Sequence, residues 1–168
     1  MKAPDLEHGT PCDIPVVIEG PEKLVRVIIS PWHFDKKKRR PKSQAYMPSR
    51  GTDEISLIRA EKIGMTQCKQ RALELCSKKP VQETPRLQGF ATALASQIQV
   101  EGFAVVDSRD QFCGHAHIAV GIKAAEKVEP PNAEDKLKLS DISEKLMAIF
   151  RFMPDPTPDA PEWAGEAL

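Results

Sequence analysis

TPRLQGFATALASQIQVEGFAVV, residues 84–106, is the stretch on which the fold turns. Two periods compete in it. Thr84 as N-cap, Pro85 in the first turn and Gly102 as C-cap mark out one helix. Leu87, Phe90, Ala91, Leu94 and Ile98 then fall on its apolar stripe. Against this, Phe90, Thr92 and Leu94 alternate as in a strand, with a short helix from Ser96. The end signals favour the single helix, and that is the expectation carried forward. After Gly102, residues 103–107 (FAVVD) form a strand under either reading.

Outward from this stretch the pattern is clearer. Residues 115–122 (HAHIAVGI) alternate: Ala116, Ile118, Val120 and Ile122 face a core, and His115, His117, Ala119 and Gly121 face away. Residues 66–79 read as a helix, with Thr66 as N-cap, Cys68, Ala72, Leu75 and Cys76 as its stripe, and Pro80 as its stop. Residues 54–60 (EISLIRA) predict a strand with Ile55, Leu57 and Arg59 on one face. Upstream, 14–19 (IPVVIE) and 23–30 (KLVRVIIS) read as two strands around Gly20-Pro21. Residues 35–51 are polar, basic and interrupted by proline, as a long loop is.

The expected organisation is a flexible N-terminus (1–13), a core domain (14–125), a charged linker (126–140), an amphipathic helix (141–153) and a Pro-rich acidic tail (154–168). Ser140 or Asp141 caps that helix, and Trp163 offers the tail a docking point on the body or on a partner. Strands and helices interleave without a βαβ rhythm. The fold class is therefore α+β: one compact domain, a mostly antiparallel or mixed sheet, and two or three helices.

Composition narrows the classes. At 168 residues the chain holds one ordinary domain, and 40% hydrophobic with 29% charged residues is globular. No run approaches a membrane span, and the N-terminus lacks the apolar region of a secretory signal. Cys12, Cys68, Cys76 and Cys113 form no C-x-x-C pair, which suggests free thiols in a reducing, cytoplasmic setting. Net charge is zero but polarised. Residues 1–50 carry ten cationic against six acidic side chains, and residues 126–168 carry five against ten.

Three constellations carry chemistry. The first is Lys36-Lys37-Lys38-Arg39-Arg40 with Lys42, a run that suits nucleic acid or a nucleotide, with Trp32, Phe34 and Tyr46 placed to stack on bases. The alternative is a solvated loop neutralised by the acidic C-terminal third. The second is a histidine pair. His33 and His117 would serve as acid and base on a phosphodiester, with Arg59 or Arg109 as the phosphate clamp. That requires the two histidines to meet. The third is Cys113-Gly114-His115-Ala116-His117, whose i, i+2 imidazoles suit a zinc ion with an open position. Its alternative is a hydrogen-bonded pair on a sheet face.

Trp32-His33-Phe34, Ser43-Gln44-Ala45-Tyr46, Asp53, Ile55-Ser56-Leu57, Gly89-Phe90, Phe103-Ala104-Val105-Val106 and His115-Ala116-His117-Ile118 occur in that order. This order resembles a group of small bacterial proteins of unassigned function. The group pairs an early histidine with a serine-glutamine-alanine-aromatic step and a late alanine-histidine before an apolar residue. The resemblance covers residues 30–120. It implies that His33, Ser43 and His117 share a site, and it favours the strand reading of Phe90–Leu94. It brings no activity, substrate or cofactor. The basic run and the extra His115 depart from the pattern.

The functional expectation is a His/Arg-lined site for a phosphate-bearing ligand, catalytic or not. The alternatives are an adaptor that binds a protein partner through the acidic tail, and a zinc hydrolase.

Overall fold

The central strand is KLVRVIIS, whose β-branched run suits a pleated, doubly covered surface. It forms β1 (Lys23–Ser30) in the computed structural model, which describes residues 11–126 and 132–168. The chain continues through β2 (Phe34–Asp35), β3 (Arg40–Pro41), a 3-10 turn (Ser43–Tyr46), β4 (Glu54–Ile58), α1 (Ala60–Ile63) and α2 (Met65–Ser77). There follow β5 (Arg86–Leu94), α3 (Ala95–Val100), β6 (Ala104–Asp107), β7 (His115–Ala119), α4 (Ala133–Ile149) and β8 (Arg151–Pro154). The main sheet has the order β6-β7-β4-β1-β5-β8, and every pair in it is antiparallel. β2 and β3 form a separate hairpin. The α+β expectation holds, with four helices among the described residues, two of them short.

Alternation along the strands splits the core into two layers. Leu24, Ile28, Ile55, Leu57, Ala116 and Ile118 pack with Leu139, Ile142 and Leu146 of α4. Val25, Val27, Ile58 and Phe90 pack on the other face with Cys68 and Ala72 of α2. The tail seals this second layer. Trp163 meets Phe90 edge-on at 5.2 Å, and buried Lys69 of α2 donates to the Thr157 and Glu162 carbonyls. The Asp155 carboxylate lies 3.0 Å from the same ammonium. The tail therefore docks on the body and does not extend from it.

Residues 84–106 depart from the single helix. Residues 86–94 pair with the whole length of β1, and only 95–100 coil. Local caps lose here to long-range pairing. Thr84, the expected N-cap, has a left-handed φ of 46° and ends a 3-10 turn. Gly89, at φ 146°, allows β8 to approach: a Cβ there would lie 2.1 Å from the Met153 carbonyl oxygen. A glycine that lets another backbone come close is a strand feature.

Other boundaries shift as well. Residues 14–19 form no strand, because their carbonyls are bound by arginine side chains as described below. The 35–51 loop contains the β2–β3 hairpin and the 3-10 turn. α2 is capped by Gly64, not Thr66, whose hydroxyl receives the Trp163 N–H. α4 begins eight residues before Asp141, since Asn132 accepts the N–H groups of Glu134 and Asp135. Residues 133–140 are thus helix and not linker, and Met153 belongs to β8. The rest of the expected linker, with Pro130-Pro131, and most of the flexible N-terminus lie outside the described residues.

The cysteines are no disulfide scaffold, but Cys12 and Cys113 do form one disulfide, and Cys68 and Cys76 are free. Among the described residues, no helix is long and apolar enough to cross a membrane.

Candidate functional site

The sheet opens beside β1. The strands β1 and β4 pair at one position only, Val25↔Ile58. Past it, side chains fill the gap. Arg26 donates Nε–H to the Ala45 carbonyl at 2.7 Å and Nη1–H to the Ser56 carbonyl at 3.1 Å. The chain passes a cis Ser30–Pro31 bond and turns back, so that His33 N–H donates to the Ile29 carbonyl at 2.8 Å. The His33 ring accepts the Ile29 N–H at Nδ1, 3.3 Å away. His33 thus completes an open strand edge. Burial drives its pKa down to about 3, helped by the Arg26, Lys79 and Lys42 cations against a hydrogen bond at the Val27 main chain. A ring held neutral in this way is a poor proton donor near pH 7.

Arg26 is the residue that the sequence reading missed. It shares its strand face with Leu24 and Ile28, both fully buried. A lone charge on an apolar stripe was the available signal. Arg26 is half-buried, and its guanidinium has five N–H donors, of which the described residues satisfy two. Among the described residues it has no acidic partner. Burial lowers its pKa to about 10, and the nearby Tyr46 offsets only part of this. Burial in turn pushes the Tyr46 phenol well above its ordinary value, so it remains a hydrogen-bond donor.

Arg59, expected to hold phosphate, is occupied. It is fully buried, and all five of its N–H donors are used. Glu22 takes a bidentate pair at 2.7 and 2.9 Å, Asp107 takes one bond at 2.7 Å, and the Pro15 and Val17 carbonyls take the rest. Hydrogen bonds to Glu22, then to Asp107, hold its pKa above the ordinary value against burial. Nothing is left for a ligand. Arg109 works beside it, bonding Asp107 and the Cys12 and Ile14 carbonyls. The two arginines and the disulfide fasten the 12–17 segment to the end of the sheet.

The histidine strand forms as expected, but His33 and His117 are not joined by any contact among the described residues. His117 lies opposite Ser56 on β4, its Nε2 3.6 Å from a Glu54 carboxylate oxygen and its Nδ1 buried without a partner. By strand alternation it faces the layer opposite Arg26. His115 Nδ1 pairs with the Ser108 hydroxyl, and its ring meets Phe112 edge-on. Burial lowers the His115 pKa, with an opposing hydrogen bond at Ser108. The disulfide removes Cys113 as a thiolate ligand. Among the described residues, no group of three or more His, Cys, Asp or Glu is gathered to hold a metal ion. Ser43 opens the 3-10 turn beside Lys42, away from the histidine strand.

The basic run is the tip of the β2–β3 hairpin. Asp35 accepts the N–H groups of Lys37 and Lys38 at 2.9 and 3.0 Å, and Arg39 turns the chain at φ 51°. Those hydrogen bonds, first that from Lys38, hold the Asp35 pKa below its ordinary value. Lys36 through Arg40 are all exposed, and among the described residues none is in an ion pair. The flanking aromatics are used internally. Tyr46 is buried against Phe150, Phe34 stacks on Phe152 at 5.5 Å, and Trp32 carries Lys79 over its ring. An apolar groove of about 390 Å³ lies at the hairpin root, between Arg40 and Pro41 on one side and Met147, Phe150 and Phe152 on the other.

No family model, no curated protein and no solved structure matches the chain. The functional reading therefore rests on these side chains.

Proposed function

We propose that the chain binds a polyanion, nucleic acid in the first instance, through the tip of the β2–β3 hairpin. One observation carries this: five consecutive exposed cations on a turn ordered by Asp35, none of them in an ion pair among the described residues. Of the acidic C-terminal third, Glu144 lines the groove that Arg40 borders, and among the described residues it forms no ion pair with the basic run. The acidic side chains nearest in kind pair elsewhere: Glu166 with Arg151, Asp155 with Lys69 and Asp159 with Arg86. The adaptor reading also loses its free tail.

Affinity for a DNA duplex, measured against salt, tests the proposal. Each phosphate contact contributes roughly −0.9 to the slope of log K against log salt. Joint Lys36→Gln, Lys37→Gln and Lys38→Gln substitution should flatten the slope by roughly two to three units. An unchanged slope and affinity in the folded triple variant would overturn the reading.

A further inference from the structure

We infer that Arg26 is the centre of a binding site for a phosphate-type oxyanion. This site is distinct from the hairpin tip and does not depend on it.

Arg26 is half-buried, and its guanidinium lacks the counter-charge that a cation partly removed from water normally has. A charge withdrawn from water is normally met by an opposite charge or by a full set of acceptors. The same chain shows both devices elsewhere. Arg59 has two carboxylates and five acceptors, and Lys69 has Asp155 and two carbonyls. Arg26 has two neutral carbonyls. Among the described residues three N–H groups remain without an acceptor, and the half-buried side chain leaves them open to solvent. The two carbonyls fix the plane of the fork. An oxyanion arriving at Nη1 and Nη2 meets donors already oriented, which is the geometry arginine offers to phosphate.

The surroundings fit the same ligand. The other charged groups that act on the nearby His33 ring are the Lys42 and Lys79 cations. His33 itself is neutral and committed to β1, so it neither competes as a cation nor repels the anion. Tyr46 keeps its phenolic proton and lies within electrostatic reach of the guanidinium. Ala45 and Ser56 offer only their carbonyls, both already used by Arg26. Among the described residues no carboxylate forms an ion pair with Arg26.

Phosphate could arrive as the free ion or as the terminal ester of a nucleic acid. The chemistry at Arg26 is the same, and the experiment separates the sources. Inorganic phosphate is titrated into the full chain by calorimetry at low ionic strength, with chloride matched for ionic strength as control. The expected result is saturable binding at one site per chain. Arg26→Gln should weaken it at least tenfold. The Lys36→Gln, Lys37→Gln, Lys38→Gln variant should keep it within twofold, which separates failure of this site from failure of the hairpin. Arg26→Lys keeps the charge without the fork and should weaken binding by an intermediate factor; it serves where Arg26→Gln does not fold. A single-stranded oligonucleotide with a 5′-phosphate is then compared with its 5′-hydroxyl twin. An Arg26-dependent preference for the phosphorylated strand assigns the site to a nucleic-acid end. Equal binding of the two, with phosphate still saturating, assigns it to a small phosphate ligand. No saturation with phosphate by the wild-type chain, or undiminished binding by folded Arg26 variants, would overturn the inference.

Discussion

Arg26 in β1 and Arg59 at the end of β4 are both held by main-chain carbonyls, but Arg59 is fully buried and Arg26 is half-buried. Arg59 is closed. Two carboxylates and two carbonyls consume every donor, and the result is a knot that ties residues 15–17 to the sheet end. Arg26 is open, with two carbonyls, three spare N–H groups and no counter-ion among the described residues. The difference lies in their partners and not in the residue type. The full fork of Arg59 marks a structural tie, and the open fork of Arg26 is what motivates the proposed oxyanion site.

The largest expected effect breaks the closed side of this comparison. Arg59→Met strands the buried Glu22 carboxylate, leaves Asp107 with Arg109 alone and frees the Pro15 and Val17 carbonyls, and should cost about 3–5 kcal/mol in urea unfolding. Arg26→Met strands no carboxylate and relieves a desolvated charge, so it should change stability by only about 1 kcal/mol in either direction. Equal losses from the two substitutions would erase the distinction.

A smaller effect sharpens the open side. His33 has its folded pKa depressed to about 3, against an ordinary value of 6.5. Below pH 6.5 the unfolded chain therefore binds more protons than the folded one. The stability contributed by the neutral ring is complete above that pH and falls as pH drops toward 3. Between pH 7 and pH 5.5 the loss should be about 1 kcal/mol. Thermal unfolding across this range should fall more steeply for the wild type than for His33→Gln, whose amide can still accept the Ile29 N–H. Parallel curves would mean that His33 titrates normally and does not complete β1.

These contrasts also show what a single sequence can carry. The histidine strand was legible because Ala116 and Ile118 alternate with His115 and His117, and that period is local. So was α2, from Cys68 and Ala72. The 84–106 stretch was misread for the converse reason. Thr84, Pro85 and Gly102 are local end signals, whereas the strand is decided by pairing with residues 23–30, about sixty positions away. The helix at 141–153 was found but started too late, because Asn132 and not Ser140 takes the first free N–H groups. Among site residues, the basic run was visible as a block of charge. Its ordering by Asp35 and Arg39 was not. Arg59 was chosen for its type alone, and nothing in EISLIRA reveals that Glu22 and Asp107 converge on it. Arg26 left a trace, a single cation between Leu24 and Ile28 in an otherwise apolar strand, and its meaning depended on an absent partner that only the fold can show.

The most direct test of the account is the arginine side-chain Nε–H spectrum of the full chain, followed by NMR during a phosphate titration. The account predicts that the Arg26 Nε resonance moves and saturates while Arg59 Nε stays fixed and exchanges slowly with solvent. A fixed Arg26 resonance, or equal shifts at both arginines, would contradict it.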